Sequence, residues 1–314
     1  LNGTGGYVPE TEVTRLIREA YEKYGTQIFT LTIGYTEAKP NNAEVSEYAY
    51  ALDKICNDLN ILIFIAIGNN NDLLFWDGKQ HKTVAYPTHF PDEKTNLCVP
   101  AESMNNITIG AAASNIENND ELRISPVGTV PAIYTRTFHI NWLHNSQLDK
   151  SGSINWFRAN KKLFKPDVCN HGGDYDDTLN PTIAGIKVLS TEKGIFFDRS
   201  VGTSFSTPIT ANLAAKIIKT YPGLRQNMQT VKALIINSAQ ANEIGDAFEN
   251  LEDISSHAIL GHGIPDDDNC IYSSENKITI ILDDKIKPEE IKSYPIKIPA
   301  YLLELNRKNS LLKV

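Results

Sequence analysis

The sequence predicts an α/β domain built on a mostly parallel sheet, and three observations predict it. Apolar, β-branched runs alternate with amphipathic helical patterns through the first part of the chain. One of these runs, Ile61-Leu-Ile-Phe-Ile-Ala-Ile67, is apolar throughout, as expected of a strand buried on both faces. A Gly-Thr-Ser turn at 202–204 also leads almost directly into an apolar helix, Ile209–Ile218. Strand, helix and strand in that order imply parallel pairing with right-handed crossovers.

The elements follow in order. Leu1–Gly6 reads as a loop, and Glu10–Lys23 carries Val13, Leu16, Ile17, Ala20 and Tyr21 at helical spacing, with Gly25 to end it. Gln27–Gly34 is a short β-branched run and reads as a strand. Glu44–Leu59 repeats the helical pattern, the buried strand 61–67 follows, and Asn106–Ala112 reads as the next strand. The polar and aromatic stretch Ile116–Lys162 has weak periodicity and is expected to be loops or surface insertion. Pro181–Ser190 reads as a short strand before the helix that Ser204 opens; Tyr221-Pro-Gly223 ends that helix and Gln229–Ala239 forms another. Beyond Asn242 the character changes: Gly261-His-Gly-Ile-Pro265 is turn-rich, and Lys277–Leu282 and Ile296–Leu303 read as strands of a β-rich extension. The expected division is a main domain over 1–265 and the start of an extension over 266–314.

The totals exclude several classes. With 314 residues, 41% of them apolar, the chain can bury a substantial core. A formal net charge of −8 without any Lys/Arg cluster argues against nucleic-acid binding. No run is long enough to span a membrane, and residues 1–6 lack the features of a secretory signal, which points to a cytoplasmic address. Cys56, Cys98, Cys169 and Cys270 are far apart, form no Cys-x-x-Cys pair and are expected to be reduced thiols.

Chemistry concentrates at Val201-Gly-Thr-Ser-Phe-Ser-Thr-Pro208. A serine between a glycine turn and a helix start sits where backbone N–H groups favour developing negative charge. The bland reading is that Thr203 or Ser204 caps the helix. The fifth residue is not glycine, so the Gly-x-Ser-x-Gly elbow of lipases and esterases does not fit.

Gly202-Thr203-Ser204-Phe205-Ser206-Thr207-Pro208 resembles the nucleophile motif of the subtilases, the subtilisin-like serine peptidases. That resemblance implies a three-layer α/β domain with Ser204 as nucleophile. It extends to Ile67-Gly68-Asn69, where Asn69 would supply the oxyanion-hole amide rather than merely form a turn, and Thr30-Leu-Thr-Ile-Gly34 is similar to the family's substrate-pairing strand. Thr32, Ile33, Gly34, Ile67 and Gly68 are the implied lining of a cleft for a polypeptide substrate. Pro100–Ala111, Lys165-Pro-Asp167 and Ala233–Ala239 continue the likeness in order, so that it covers residues 27 to 265.

The front of the pattern departs from the family. The His-Gly-Thr and Asp-Thr-Gly motifs that carry the base and its orienting aspartate are absent; only 33 residues precede Gly34, and the first of seven histidines is His81. His171 and His262 read as a loop residue and a turn residue. The expectation is therefore a fragment with the sheet incomplete at its N-terminus, whose base lies upstream and which is inactive alone. The alternative is a non-catalytic peptide-binding module of the same fold. No cofactor is implied: Asp174, Asp176 and Asp177, and Asp266–Asp268, follow no calcium-loop pattern and read as solvated acidic loops, with no metal ligand assigned.

Overall fold

The structure is a computed structural model and describes residues 8–117 (apart from 42 and 77), 123–139, 164–240 (apart from 182), 248, 251, 254–273 and 279–295 (apart from 283). Its centre is a four-stranded parallel sheet in the order β1 (Ile28–Leu31), β2 (Leu62–Ala66), β5 (Ile107–Ala112), β6 (Val168–His171). Two antiparallel hairpins stand apart from it, β3 (Leu74–Trp76) with β4 (His81–Thr83), and β7 (Ile186–Leu189) with β8 (Phe197–Ser200).

The continuous apolar run around β2 divides its side chains between two layers, as a strand's alternation requires. Ile61, Ile63, Ile65 and Ile67 pack with helices α1 (Glu10–Tyr24) and α2 (Glu47–Leu59), through Ile17, Leu52 and Ile55. Leu62 and Phe64 face the opposite way, into the core formed with α3 (Thr203–Thr220) and α4 (Met228–Ser238) through Ala214, Ile217, Val231 and Ile235. The result is the expected three layers, helix on sheet on helix. Ser46 caps α2 through its side chain, accepting from the Ala49 N–H at 3.1 Å, and Gly25 ends α1 in the left-handed conformation.

Several expectations need correction. The described part of the 116–162 stretch lacks regular elements, as expected of loops, and Ile116 and Val127 are exposed, but 130–138 is not surface: Val130 and Ala132–Phe138 are all buried. His171 ends strand β6 rather than sitting in a loop, whereas His262 does lie in a turn. Asp174 is fully buried and accepts from the Ser125 and Ile133 N–H groups at 3.0 and 3.4 Å, so it is no solvated loop residue. Pro208 lies in the second turn of α3, so the Ser204 carbonyl has no N–H to receive from that position. All four cysteines are buried and none forms a disulfide, as expected.

The chain divides into two units, Leu1–Tyr272 and Ser273–Val314. Helices α5 (His257–Leu260) and α6 (Asp267–Ile271) belong to the first, α6 placing Cys270 and Ile271 in the core around α3 and α4. In the second unit Asp284 accepts from Lys292 Nζ at 2.8 Å and from the Tyr294 hydroxyl at 2.7 Å. Residues 279–282 are not in a strand, contrary to expectation, and 296–303 lie outside the described residues. Among the described residues no helix is long and apolar enough to cross a membrane.

Candidate active site

The carboxyl ends of parallel strands open toward one edge of the sheet, where crossovers leave a crevice. Beyond β1 that edge carries Thr32–Gly34, and beyond β2 it carries Gly68 and Asn69. Helix α3 brings its N-terminus to the same place. Thr32, Ile33, Gly34, Gly68, Asn69, Thr203 and Ser204 together border a cavity of ≈ 160 Å³. A larger cavity of ≈ 570 Å³, between Asn70 and Thr95, is lined by neither Asn69 nor Ser204 and so lacks these groups.

The turn into α3 is built around Gly202, whose φ of +154° suits glycine and whose absent Cβ leaves room: one placed there would lie 3.2 Å from Asn69 Nδ2. The Gly202 N–H donates to the Gly172 carbonyl at 3.1 Å and to the Tyr134 hydroxyl at 3.0 Å. That hydroxyl in turn donates to Gly172 O at 2.7 Å. Tyr134 is completely buried, and burial holds its pKa well above the ordinary phenol value, so it remains neutral and can both give and accept a proton bond.

The two hydroxyls after Gly202 have different fates. Thr203 is buried, and its N–H and Oγ1 both donate to Asn69 Oδ1, at 3.0 and 2.9 Å. Neither it nor Ser204 caps the helix, whose N-cap is Gly202 with no side-chain cap. Ser204 is exposed, and its hydroxyl makes no hydrogen bond among the described residues. Because Thr203 occupies Oδ1 of Asn69, the amide orientation is fixed and Nδ2 is left as a donor without a partner among the described residues. The site thus holds a free hydroxyl, a free amide donor and, among the described residues, the unpaired Ser204 N–H of a helix start.

The substrate side is an edge. Among the described residues β1 is an edge strand of the sheet, and beyond its ladder the main chain of Ile33 and Gly34 is unpaired. Gly34 lies close against the neighbouring loop, since a Cβ there would stand 2.7 Å from Val99 O. Ile67 does not join the lining: its side chain is fully buried in the core and its carbonyl accepts from the Cys98 N–H at 3.1 Å. Sequence reasoning missed Tyr35, Thr36, Ala66, Asn71, Cys98 and Val99, which complete the lining, and Tyr134 and Arg136, which hold it from behind. Cys98 and Val99 adjoin the Pro100-Ala motif, the one signal that marked that loop.

The remaining motif residues are structural. Lys165 Nζ donates to Asp167 Oδ2 at 2.6 Å in a buried pair, and the same carboxylate oxygen accepts from the Thr108 N–H at 2.7 Å. The Lys165 ammonium holds the Asp167 carboxyl below the usual range against the opposing effect of burial. His171 Nδ1 lies 2.5 Å from Ser114 Oγ, and burial lowers its pKa below 6.5. Among the described residues no group of three or more His, Cys, Asp or Glu could hold a metal ion.

The model of the subtilase family matches residues 3–263, and the chain belongs to that family. It is 24% identical over 312 residues to an uncharacterized protein, y4bN, of Sinorhizobium fredii (strain NBRC 101917 / NGR234), which spans 96% of this chain and 69% of that protein. Among solved structures it is similar to the self-cleaved protease domain of PatA, at 17% identity and a TM-score of 0.45, covering 84% of this chain and 67% of that one. A lanthipeptide protease aligns at 13% identity and a TM-score of 0.49, over 84% of this chain and 66% of its own.

Proposed function

We propose that this subtilase domain carries the nucleophile half of a serine endopeptidase site. In this reading Ser204 Oγ attacks the scissile carbonyl of a polypeptide paired along Thr32–Gly34, forming an acyl-enzyme, and the Ser204 N–H and Asn69 Nδ2 receive the oxyanion. The supporting observation is the division of labour after Gly202: Thr203 is spent on fixing Asn69, while Ser204 stands exposed and unbonded beside it.

The general base is the remaining requirement. No histidine among the described residues bonds the Ser204 hydroxyl, and the sequence lacks the family's His-Gly-Thr motif. We infer that neither the base nor its orienting aspartate is supplied by residues 1–314, which by themselves are expected to hydrolyse peptides at a negligible rate. Removing one member of a cooperating triad already removes most of its benefit.

A fluorophosphonate probe tests the reading. The intact protein is expected to be labelled at Ser204, identified by peptide mass, while residues 1–314 alone are not labelled. A folded intact protein that resists the probe would instead be a peptide-binding module, and cleavage of short acyl esters without peptides would point to an esterase.

A further inference from the structure

We propose that Arg136 is a positioning residue for this acyl transfer, acting through Asn69; the role rests on the reading of Ser204 and Asn69 above. Arg136 is buried, with 4% of its surface exposed. Its Nε donates to Asn69 O at 3.1 Å, one terminal nitrogen donates to Lys94 O and Asn96 O at 2.9 Å each, and the other donates to Thr36 O at 3.0 Å. Every one of these acceptors is a backbone carbonyl, and no carboxylate pairs with the guanidinium among the described residues.

Burying a guanidinium is costly, and a fold retains one where its planar fork of donors satisfies several acceptors at fixed angles. Here the acceptors belong to three separate segments that border the cleft, one following β1, one following β2 and one preceding β5. The stem lies directly beneath the site: a Cβ on Gly68, whose φ is +105°, would stand 3.0 Å from Arg136 Cδ. The Arg136 N–H also reaches Gly68 O at 3.4 Å.

Asn69 is therefore held at two points, its side-chain oxygen by Thr203 and its main-chain oxygen by Arg136. With both fixed, Nδ2 keeps its direction before substrate arrives. An oxyanion donor is effective because it needs no reorganisation, and a displacement of about 1 Å can cost about 10²-fold in rate. Lysine would restore the charge but not the fork.

A double-variant cycle on the intact protein tests this, with kcat and KM measured on a peptide for Asn69→Ala, Arg136→Lys and the two combined. Arg136→Lys is expected to lower kcat about 10- to 100-fold with a smaller change in KM. In the Asn69→Ala background it is expected to lower kcat by less than about twofold, because the group it positions is gone. Losses that multiply in the combined variant overturn the inference. So does failure of both Arg136→Lys and Arg136→Gln to fold, which would make the residue purely architectural. An unchanged kcat in Asn69→Ala breaks the oxyanion reading itself, a result distinct from multiplying losses.

Discussion

The turn Gly202–Ser204 and the buried segment Val130–Phe138 meet at the same cleft but are written in the sequence in different ways. The turn is local: its glycine, its two hydroxyls and the apolar helix behind them are adjacent, and each does work that its type suggests. The segment has no periodicity and no motif, yet Tyr134 holds the Gly202 N–H while Arg136 holds the Asn69 carbonyl. Between them Thr135 Oγ1 accepts from the Ala111 N–H at 3.0 Å, tying the segment to β5. The residues of the turn are neighbours in sequence; the residues that hold the turn and Asn69 in place are remote from them.

The sharpest way to break the comparison is at the turn. Ser204→Ala in the intact protein is expected to reduce kcat by on the order of 10⁶-fold, the scale known for subtilisin, the type enzyme of this family. Residual turnover near wild type would mean that neither wall belongs to a peptidase site. Tyr134→Phe probes the other wall. It removes the acceptor at Gly202 and the donor to Gly172 within a dry interior, so a stability loss of about 1–3 kcal/mol is expected, read from denaturant midpoints at constant m-value. An unchanged midpoint would reduce the segment to filler.

Thr203→Val sharpens the contrast between the adjacent hydroxyls. It keeps the shape and the Thr203 N–H bond but removes the Oγ1 bond to Asn69, at a cost of about 1 kcal/mol, or about fivefold in kcat. A Thr203→Val variant as inactive as Ser204→Ala would contradict the assigned roles.

The smallest expected effect is a pH dependence centred on the buried wall. His89 bonds Ile133 O at 2.8 Å, His139 follows Phe138, and burial lowers the pKa of both, and of His171, below 6.5. A histidine neutral in the fold binds its proton more readily when unfolded, so its stabilising contribution is present above about pH 6.5 and lost as the pH falls through the folded values. Asp174, raised by burial, has the opposite sign: its contribution is present below the ordinary carboxylate range and is lost as the pH rises through its folded value. The denaturation midpoint is therefore expected to fall between pH 7.5 and 5.5, and to fall less in His89→Gln. An equal fall in that variant would remove His89 from the account.

The parts of the fold that were legible share a cause. Strands β1, β2 and β5 and helices α1 to α4 are periodic over their own lengths, so burial on one or both faces is visible residue by residue. The segment 130–138 is irregular, follows neither helical nor strand periodicity and contains an arginine, so no local pattern marks it as buried. Its burial depends on carbonyl groups contributed by residues 36, 69, 94 and 96. Asp174 was misread for the same reason, since an acidic loop and a buried acceptor of distant N–H groups look alike in one dimension.

By itself the sequence determined the alternation of strands and helices, the buried central strand and the presence of a Gly-Thr-Ser turn at a helix start, because these depend on neighbours within a few positions. Only the tertiary structure decided which hydroxyl faces the cleft, that the Asn69 oxygen is taken by a residue 134 positions away, and that Ile67 turns inward. Those outcomes follow from hydrogen bonds and burial between remote segments. Such partners exist only once the chain has closed on itself.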